Sequence, residues 1–215
     1  HFPDPETPLE VTLETVAKLH TQGKFKELGL SNFPAWMVVD ICHICKLNGW
    51  PQPTVYQGVY NGLSRKAEEE LFPVLKKLGI RFYAYNPLAG GILAGKYKDY
   101  NDKPSSGRFT SRPNYKDRYW KKSFFVAIKN INEQCELEDI RIVEAAYRWL
   151  AYHSKLSGDN RDGILLGVSK LEQLEENLNA CKSGPLPESI VAAFDRAWEV
   201  TKSDSPEYFR FTVKK

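Results

Sequence analysis

With 215 residues, 42% of them hydrophobic and 27% charged, the chain has an ordinary folded composition, which excludes a disordered or low-complexity protein. Its formal charge of +3 arises from 30 basic and 27 acidic side chains spread along the sequence; this excludes a nucleic-acid or membrane footprint and leaves room for a local anionic ligand. No apolar run approaches the roughly 20 residues of a membrane span and no secretory segment is visible, so the expected compartment is the cytosol.

The first predicted element is a helix. Thr7-Pro8-Leu9-Glu10 reads as a capping box with proline at the first helical position, Leu9, Leu13, Val16 and His20 recur at helical spacing, and Gly23 fits the stop. Residues 25–31 read as a strand, 34–47 as a helix, and a second strand starts at Thr54. A helix over 64–78, kinked or divided by Pro73, precedes a strand over 80–85. The strand ends at Asn32, Gln57 and Tyr85 are spaced by 25 to 28 residues, the length of one βα unit, so the class is parallel α/β. After residue 86 the rhythm changes. Residues 98–118 are rich in Lys, Asp, Asn, Ser, Gly and Pro and read as a long lid-like loop. Helices over 119–133 and 139–153 follow, with Val143, Tyr147 and Leu150 on one stripe of the second. A last strand over 163–169 leads to helices over 171–181 and 187–201. No second domain boundary is visible, so residues 1–215 read as a single domain.

Four cysteines, at 42, 45, 135 and 181, are too few and too irregular for a disulfide scaffold and fit a reducing compartment. Cys42-His43-Ile44-Cys45 has zinc or redox spacing. No second ligand pair accompanies it to complete a tetrahedral site, so buried helix cysteines are the favoured reading.

Polar residues recur where strands end: His1, Ser31 and Asn32, Gln57, Tyr85 and Asn86, and Ser169. In a (β/α)8 barrel the functional groups come from the C-terminal ends of the strands, so this row reads as ligand-facing. Four strand and helix units plus the tail of a fifth strand fall short of the eight strands of a closed barrel of about 250 residues. The expected fold is therefore a partial TIM barrel: the C-terminal half, from about the end of strand 4 to strand 8, with terminal helices. The only methionine is Met37, in keeping with an upstream segment missing from the sequence.

The richest local motif runs from Asn86 to Tyr97. From Gly90 it matches the spacing of a phosphate-binding P-loop as far as Lys96, but Tyr97 stands where nucleotide hydrolases need Ser or Thr for magnesium. Hydrolysis is disfavoured on that ground. Small residues still let backbone N–H groups approach an anion, and Lys96 adds charge. Spacing alone leaves a pyrophosphate loop and a simple tight turn near even.

Gly29-Leu30-Ser31-Asn32, Val55-Tyr56-Gln57-Gly58, the stretch from Tyr83 to Gly91, Gly107-Arg108-Phe109, and the stretch from Leu166 to Glu175 together resemble the aldo-keto reductases. They look most like the branch that reduces aflatoxin dialdehyde and succinic semialdehyde. The resemblance runs from His1 to Arg210 and leaves residues 211–215 as an extra tail. It implies reduction of aldehydes or ketones with NADPH. His1 would correspond to the histidine that orients and polarises the carbonyl. Ser31, Asn32 and Gln57 would clamp the nicotinamide carboxamide, a group that needs both donors and acceptors around it. Tyr85 would stack on the nicotinamide ring. Asn86, Pro87, Leu88, Ala89, Gly90, Gly91 and Lys96 would wrap the pyrophosphate, with Arg108 adding a contact from the long loop. Gly167, Ser169, Lys170, Gln173, Glu175 and Asn177 would hold the adenosine and its 2′-phosphate. A capping serine beside a solvated lysine is the plainer account of Ser169 and Lys170. Tyr115, Arg118 and Arg210 match the branch's substrate contacts, and the arginine forks suit a carboxylate. The family's acid, a tyrosine tuned by a lysine and an aspartate, lies on segments N-terminal to the position of His1. The chain alone is thus expected to bind cofactor without turnover. The alternative is a noncatalytic, truncated relative that binds dinucleotide or a protein partner. A homodimer is implied by the branch, and neither nucleic acid nor membrane is expected as a partner.

Overall fold

Alternating strands and helices assemble around a four-stranded parallel sheet in a computed structural model that describes residues 1–105 and 107–210. Strands β1 (Leu28–Ser31), β2 (Pro53–Val59), β3 (Arg81–Tyr85) and β4 (Gly163–Ile164) lie side by side in chain order. Ser31 registers with Gln57, Val59 with Tyr85, and Ala84 with Ile164, so the C-terminal strand ends share one rim. Helices α1 (Leu9–Thr21), α2 (Ala35–Asn48) and α3 (Leu71–Leu78) alternate with the first three strands. Helices α4 (Arg108–Ser111), α5 (Pro113–Tyr119), α6 (Lys122–Leu137) and α7 (Ile142–Arg148) separate β3 from β4; α8 (Leu171–Ala180) and α9 (Glu188–Thr201) follow. Among the described residues no helix is long and apolar enough to cross a membrane.

Several boundaries differ from the expectation, each for a local reason. The first helix has Pro8 as its N-cap, and Thr7 makes no cap; its hydroxyl donates instead to Asp4 Oδ2 at 2.7 Å. β1 starts at Leu28 rather than at 25. The helix over 64–78 divides into a 3-10 turn (Lys66–Glu68) and α3. The break precedes Pro73, which sits in the first turn of α3, where a missing N–H costs no helical bond. Residues 98–118 contain α4 and α5 rather than loop alone. The helix over 139–153 begins at Ile142 and ends in a π-helical turn (Trp149–His153). The last strand is far shorter than 163–169: after Gly163–Ile164 one further bond, Leu165 N–H to the Ala84 carbonyl at 2.9 Å, holds the segment before it leaves the sheet. The tail at 211–215 lies outside the described residues.

The core joins the sheet to both helical layers. Tyr56, Phe82, Leu71 and Ile80 are buried with Trp149, Ile190 and Phe194 in one contiguous cluster, and α6 packs along α9. Arg65 crosses this layer as a satisfied buried cation: its guanidinium donates to the Gly62 and Phe194 carbonyls and to Asp195, and lies 4.2 Å from the Trp149 ring centroid. This fixes α9, from which the chain returns to the rim through Tyr208, Phe209 and Arg210.

Candidate functional site

Along the rim, Asn32 is the hub of a first group. It follows β1 with φ 61°, a left-handed conformation that asparagine tolerates better than most residues, and it is 2% exposed. Its Oδ1 accepts from the Tyr85 hydroxyl at 2.7 Å, and its Nδ2 donates to the His1 carbonyl at 2.7 Å and to Ser31 Oγ at 2.9 Å. The Arg210 N–H donates to the Asn32 carbonyl at 2.9 Å, while the buried Arg210 Nε has no partner among the described residues. His1, Ser31, Asn32, Tyr85 and Arg210 are thereby brought together from four segments. The His1 imidazole itself is exposed, with its ring against Phe2 at 5.2 Å, and Gln57 is exposed on β2.

Asn86, next after Tyr85, connects this group to a second. It also has positive φ, 57°, and its Nδ2 donates to the Tyr119 hydroxyl at 3.1 Å. Its carbonyl accepts from Asn61 Nδ2 at 2.9 Å. Burial pushes the Tyr119 phenol well above the usual tyrosine range, so the hydroxyl stays neutral. After Pro87 and Leu88 the backbone turns left-handed again at Ala89 (φ 47°), Gly90 (74°) and Gly91 (107°). Gly90 is packed so that a Cβ would stand 2.9 Å from ring carbons of Tyr115 and Tyr119, whereas Gly91 has open space where a Cβ would be. That open backbone belongs to a cavity of about 230 Å³ lined by Tyr85, Asn86, Pro87, Leu88, Gly90, Gly91, Arg108, Tyr147, Leu165, Leu166 and Gly167. Arg108, at the start of α4, supplies its cation and lies 4.9 Å from the Tyr115 ring centroid. Uncovered backbone beside a guanidinium suits an anionic oxygen, and the volume suits part of a dinucleotide rather than all of it.

A third group lies at the start of α8. Ser169 donates through both N–H and Oγ to Gln173 Oε1, at 3.1 and 3.2 Å, which fixes the entry to the helix; Lys170 and Glu175 are exposed nearby. Asn177 is buried on the seam between α7 and α8, where it lines a separate small cavity with Arg141 and Glu144. Lys96 is exposed against Tyr97 and does not line the 230 Å³ cavity. Ala89 is buried beneath the loop, and Arg118 lies 5.9 Å from the Tyr115 ring centroid.

Three participants escaped the sequence reading: Asn61, Tyr119 and Tyr147. An Asn-Gly pair just after a strand is a turn signal that could have drawn attention to Asn61, whose Oδ1 also accepts from Leu63 N–H at 3.0 Å. In the sequence Tyr119 reads only as the start of a helix, and Tyr147 only as one residue of a helical stripe. The Cys42-to-Cys45 motif lies on α2 with Cys45 buried; burial, with Cys45 adding, pushes the Cys42 thiol up to about 11, far from a reactive thiolate. No group of three or more His, Cys, Asp or Glu side chains among the described residues could hold a metal ion.

A parallel sheet with its polar residues gathered on the C-terminal rim defines an α/β protein of the kind that binds ligands at strand ends. The profile of the Aldo/keto reductase family matches residues 1–199, and the chain belongs to that family of oxidoreductases. It is similar to human "Aldo-keto reductase family 7 member A3", 48% identical over 98% of this chain and 66% of that protein. Mouse "Aflatoxin B1 aldehyde reductase member 2" is 48% identical over 98% of this chain and 60% of its own length. An aldo-keto reductase of Pseudocercospora fijiensis is 41% identical over 97% of this chain and 72% of its own length. The chain spans roughly three fifths to two thirds of the two mammalian relatives.

Proposed function

We propose that the protein containing this chain reduces aldehydes or ketones with NADPH, and that this chain supplies most of the cofactor site from an arc of a (β/α)8 barrel. The observation that carries the reading is the rim cavity in which Asn86, Pro87, Leu88, Gly90, Gly91, Arg108 and Gly167 converge. Backbone around Gly91 and the Arg108 guanidinium would hold the pyrophosphate, and Ser169 and Lys170 at the start of α8 the 2′-phosphate. Ser31, Asn32 and Gln57 would hold the carboxamide, with Tyr85 against the ring. When bound, the nicotinamide supplies the hydride that the carbonyl carbon receives. His1 would orient the carbonyl oxygen, and Arg210, Tyr115 and Arg118 would receive an acidic substrate.

Proton delivery is the step for which these residues are poorly suited. The Tyr85 proton is committed to Asn32, and burial pushes the Tyr56 and Tyr119 phenols above the usual range, away from a group that donates well at neutral pH. The 215-residue chain alone is therefore expected to bind NADPH and not to turn over. Fluorescence titration with NADPH and NADH, followed by an aldehyde assay, tests both statements. Tighter binding of NADPH, weakened about tenfold in Arg108→Ala, is the expected result. Absence of NADPH binding refutes the cofactor assignment, and steady NADPH consumption by the verified chain refutes the missing-acid account.

A further inference from the structure

Past Ser205 the chain runs to the rim with neither helix nor strand, and among the described residues no backbone hydrogen bond holds it until the Arg210 N–H reaches the Asn32 carbonyl. Side chains hold it instead. Lys66 pairs with Glu207, and the Glu70 carboxylate accepts from the Tyr208 hydroxyl. Glu207 is 54% exposed in its pair, and exposed ion pairs contribute little. The Tyr208 contact is different: the residue is 3% exposed, its hydroxyl also accepts from the Ala35 N–H at 3.0 Å, and a charged acceptor makes the bond to Glu70 a strong one. Glu70 stands at the N-cap of α3 yet makes no cap with its side chain, so its carboxylate serves Tyr208 rather than its own helix. Two residues beyond Tyr208, the half-buried Arg210 has a backbone tie to Asn32 and an Nε without a partner among the described residues. Its place is therefore set by the backbone that carries it.

Resting on the reading in which Arg210 receives an acidic substrate, we propose that Glu70 is a positioning residue: by holding the Tyr208 hydroxyl it carries Arg210 to the rim and tunes the protein toward carbonyl compounds that bear a carboxylate. Glu70 does not line the rim cavity and acts only through Tyr208 and Arg210.

Glu70 is exposed, so its replacement disturbs no core; Glu70→Ala removes the acceptor and Glu70→Gln keeps one. In the protein containing this chain, initial rates are compared for succinic semialdehyde and for butanal, which has the same chain length and no carboxylate. Glu70→Ala is expected to raise KM for succinic semialdehyde about tenfold, with kcat and the KM for butanal within about twofold of wild type, and Glu70→Gln to recover most of the loss. Equal changes for both aldehydes, or none for either, overturn the proposal. Arg210→Ala separates it from the reading beneath it. A raised KM for succinic semialdehyde in that variant, with Glu70→Ala like wild type, overturns the positioning role alone; an Arg210→Ala KM equal to wild type overturns both. Hydrogen exchange of the 215-residue chain gives a readout without turnover. The Arg210 amide is expected to exchange about tenfold faster in Glu70→Ala while the amides of α3 are unchanged, and an Arg210 amide that exchanges as in wild type overturns the proposal.

Discussion

Replacing Asn32 with alanine removes three hydrogen bonds: Tyr85 O–H to Oδ1, Nδ2 to the His1 carbonyl, and Nδ2 to Ser31 Oγ. At about 1 kcal/mol net for each, with the bond to the adjacent serine contributing least, their loss costs roughly 2–3 kcal/mol. Alanine must also adopt φ 61°, which adds about 1 kcal/mol because its Cβ crowds the following carbonyl. The expected destabilisation is therefore roughly 3–4 kcal/mol, a large part of the roughly 5–15 kcal/mol typical of a folded protein. Two further variants separate the terms. Asn32→Gly loses the same bonds without the strain and should be more stable than the alanine variant; Asn32→Asp keeps an acceptor for Tyr85 but sets a buried carboxylate oxygen against the His1 carbonyl and should be no more stable than alanine. Urea unfolding followed by tryptophan fluorescence reads the series, and an unchanged m-value with a midpoint lowered by more than about 1 M is expected for alanine. A midpoint for Asn32→Ala indistinguishable from wild type refutes the hub. A glycine variant no better than alanine refutes the backbone term.

Gly90→Ala places a methyl group against the Tyr115 and Tyr119 rings in a left-handed backbone, and a thermal unfolding midpoint lowered by several degrees is expected. His153 Nε2 accepts the Leu186 N–H at 2.7 Å, so its ring must be neutral there; burial, then Arg148, lowers its pKa from the ordinary value of 6.5, with Asp195 opposing. Because the folded value lies below the unfolded one, this contribution is present above about pH 6.5 and is lost as the pH falls through the folded value. Unfolding midpoints measured from about pH 7 to about pH 5 should therefore decline, less steeply in His153→Gln, and equal slopes in the two proteins refute the assignment. Maleimide labelling at neutral pH should modify the Cys42 thiol slowly, as its raised pKa requires; rapid labelling contradicts the burial of α2.

The βα rhythm was legible because Leu30, Tyr56 and Phe82 are buried on strands bounded by plain turn and helix signals. Ser31, Asn32, Tyr85 and Asn86 were legible for the same reason, each standing at the end of an apolar strand. What stayed hidden depends on contacts distant in sequence. Nothing local in Gly163 to Ser169 says that only two residues pair with β3, since pairing depends on where Ala84 ends its own ladder. Lys96 matches a phosphate-loop spacing, yet the turn at Gly95 (φ 72°) leads it out to solvent rather than into the cavity. Tyr147 sits on a helical stripe like any core residue, and only its missing hydrogen-bond partner sets it apart.

The segment from Tyr208 to Arg210 reaches back to the far end of the sequence. The Tyr208 hydroxyl accepts from the Ala35 N–H at the start of α2 and donates to the Glu70 carboxylate, while the Arg210 N–H closes on the Asn32 carbonyl. During synthesis the ribosome releases β1 and α2 long before residue 210 leaves the exit tunnel. The Asn32 carbonyl therefore gains this partner only after the 177 residues between them have been made. The strands β1 to β3 can pair before that bond closes, so this part of the rim depends on contacts of long sequence separation.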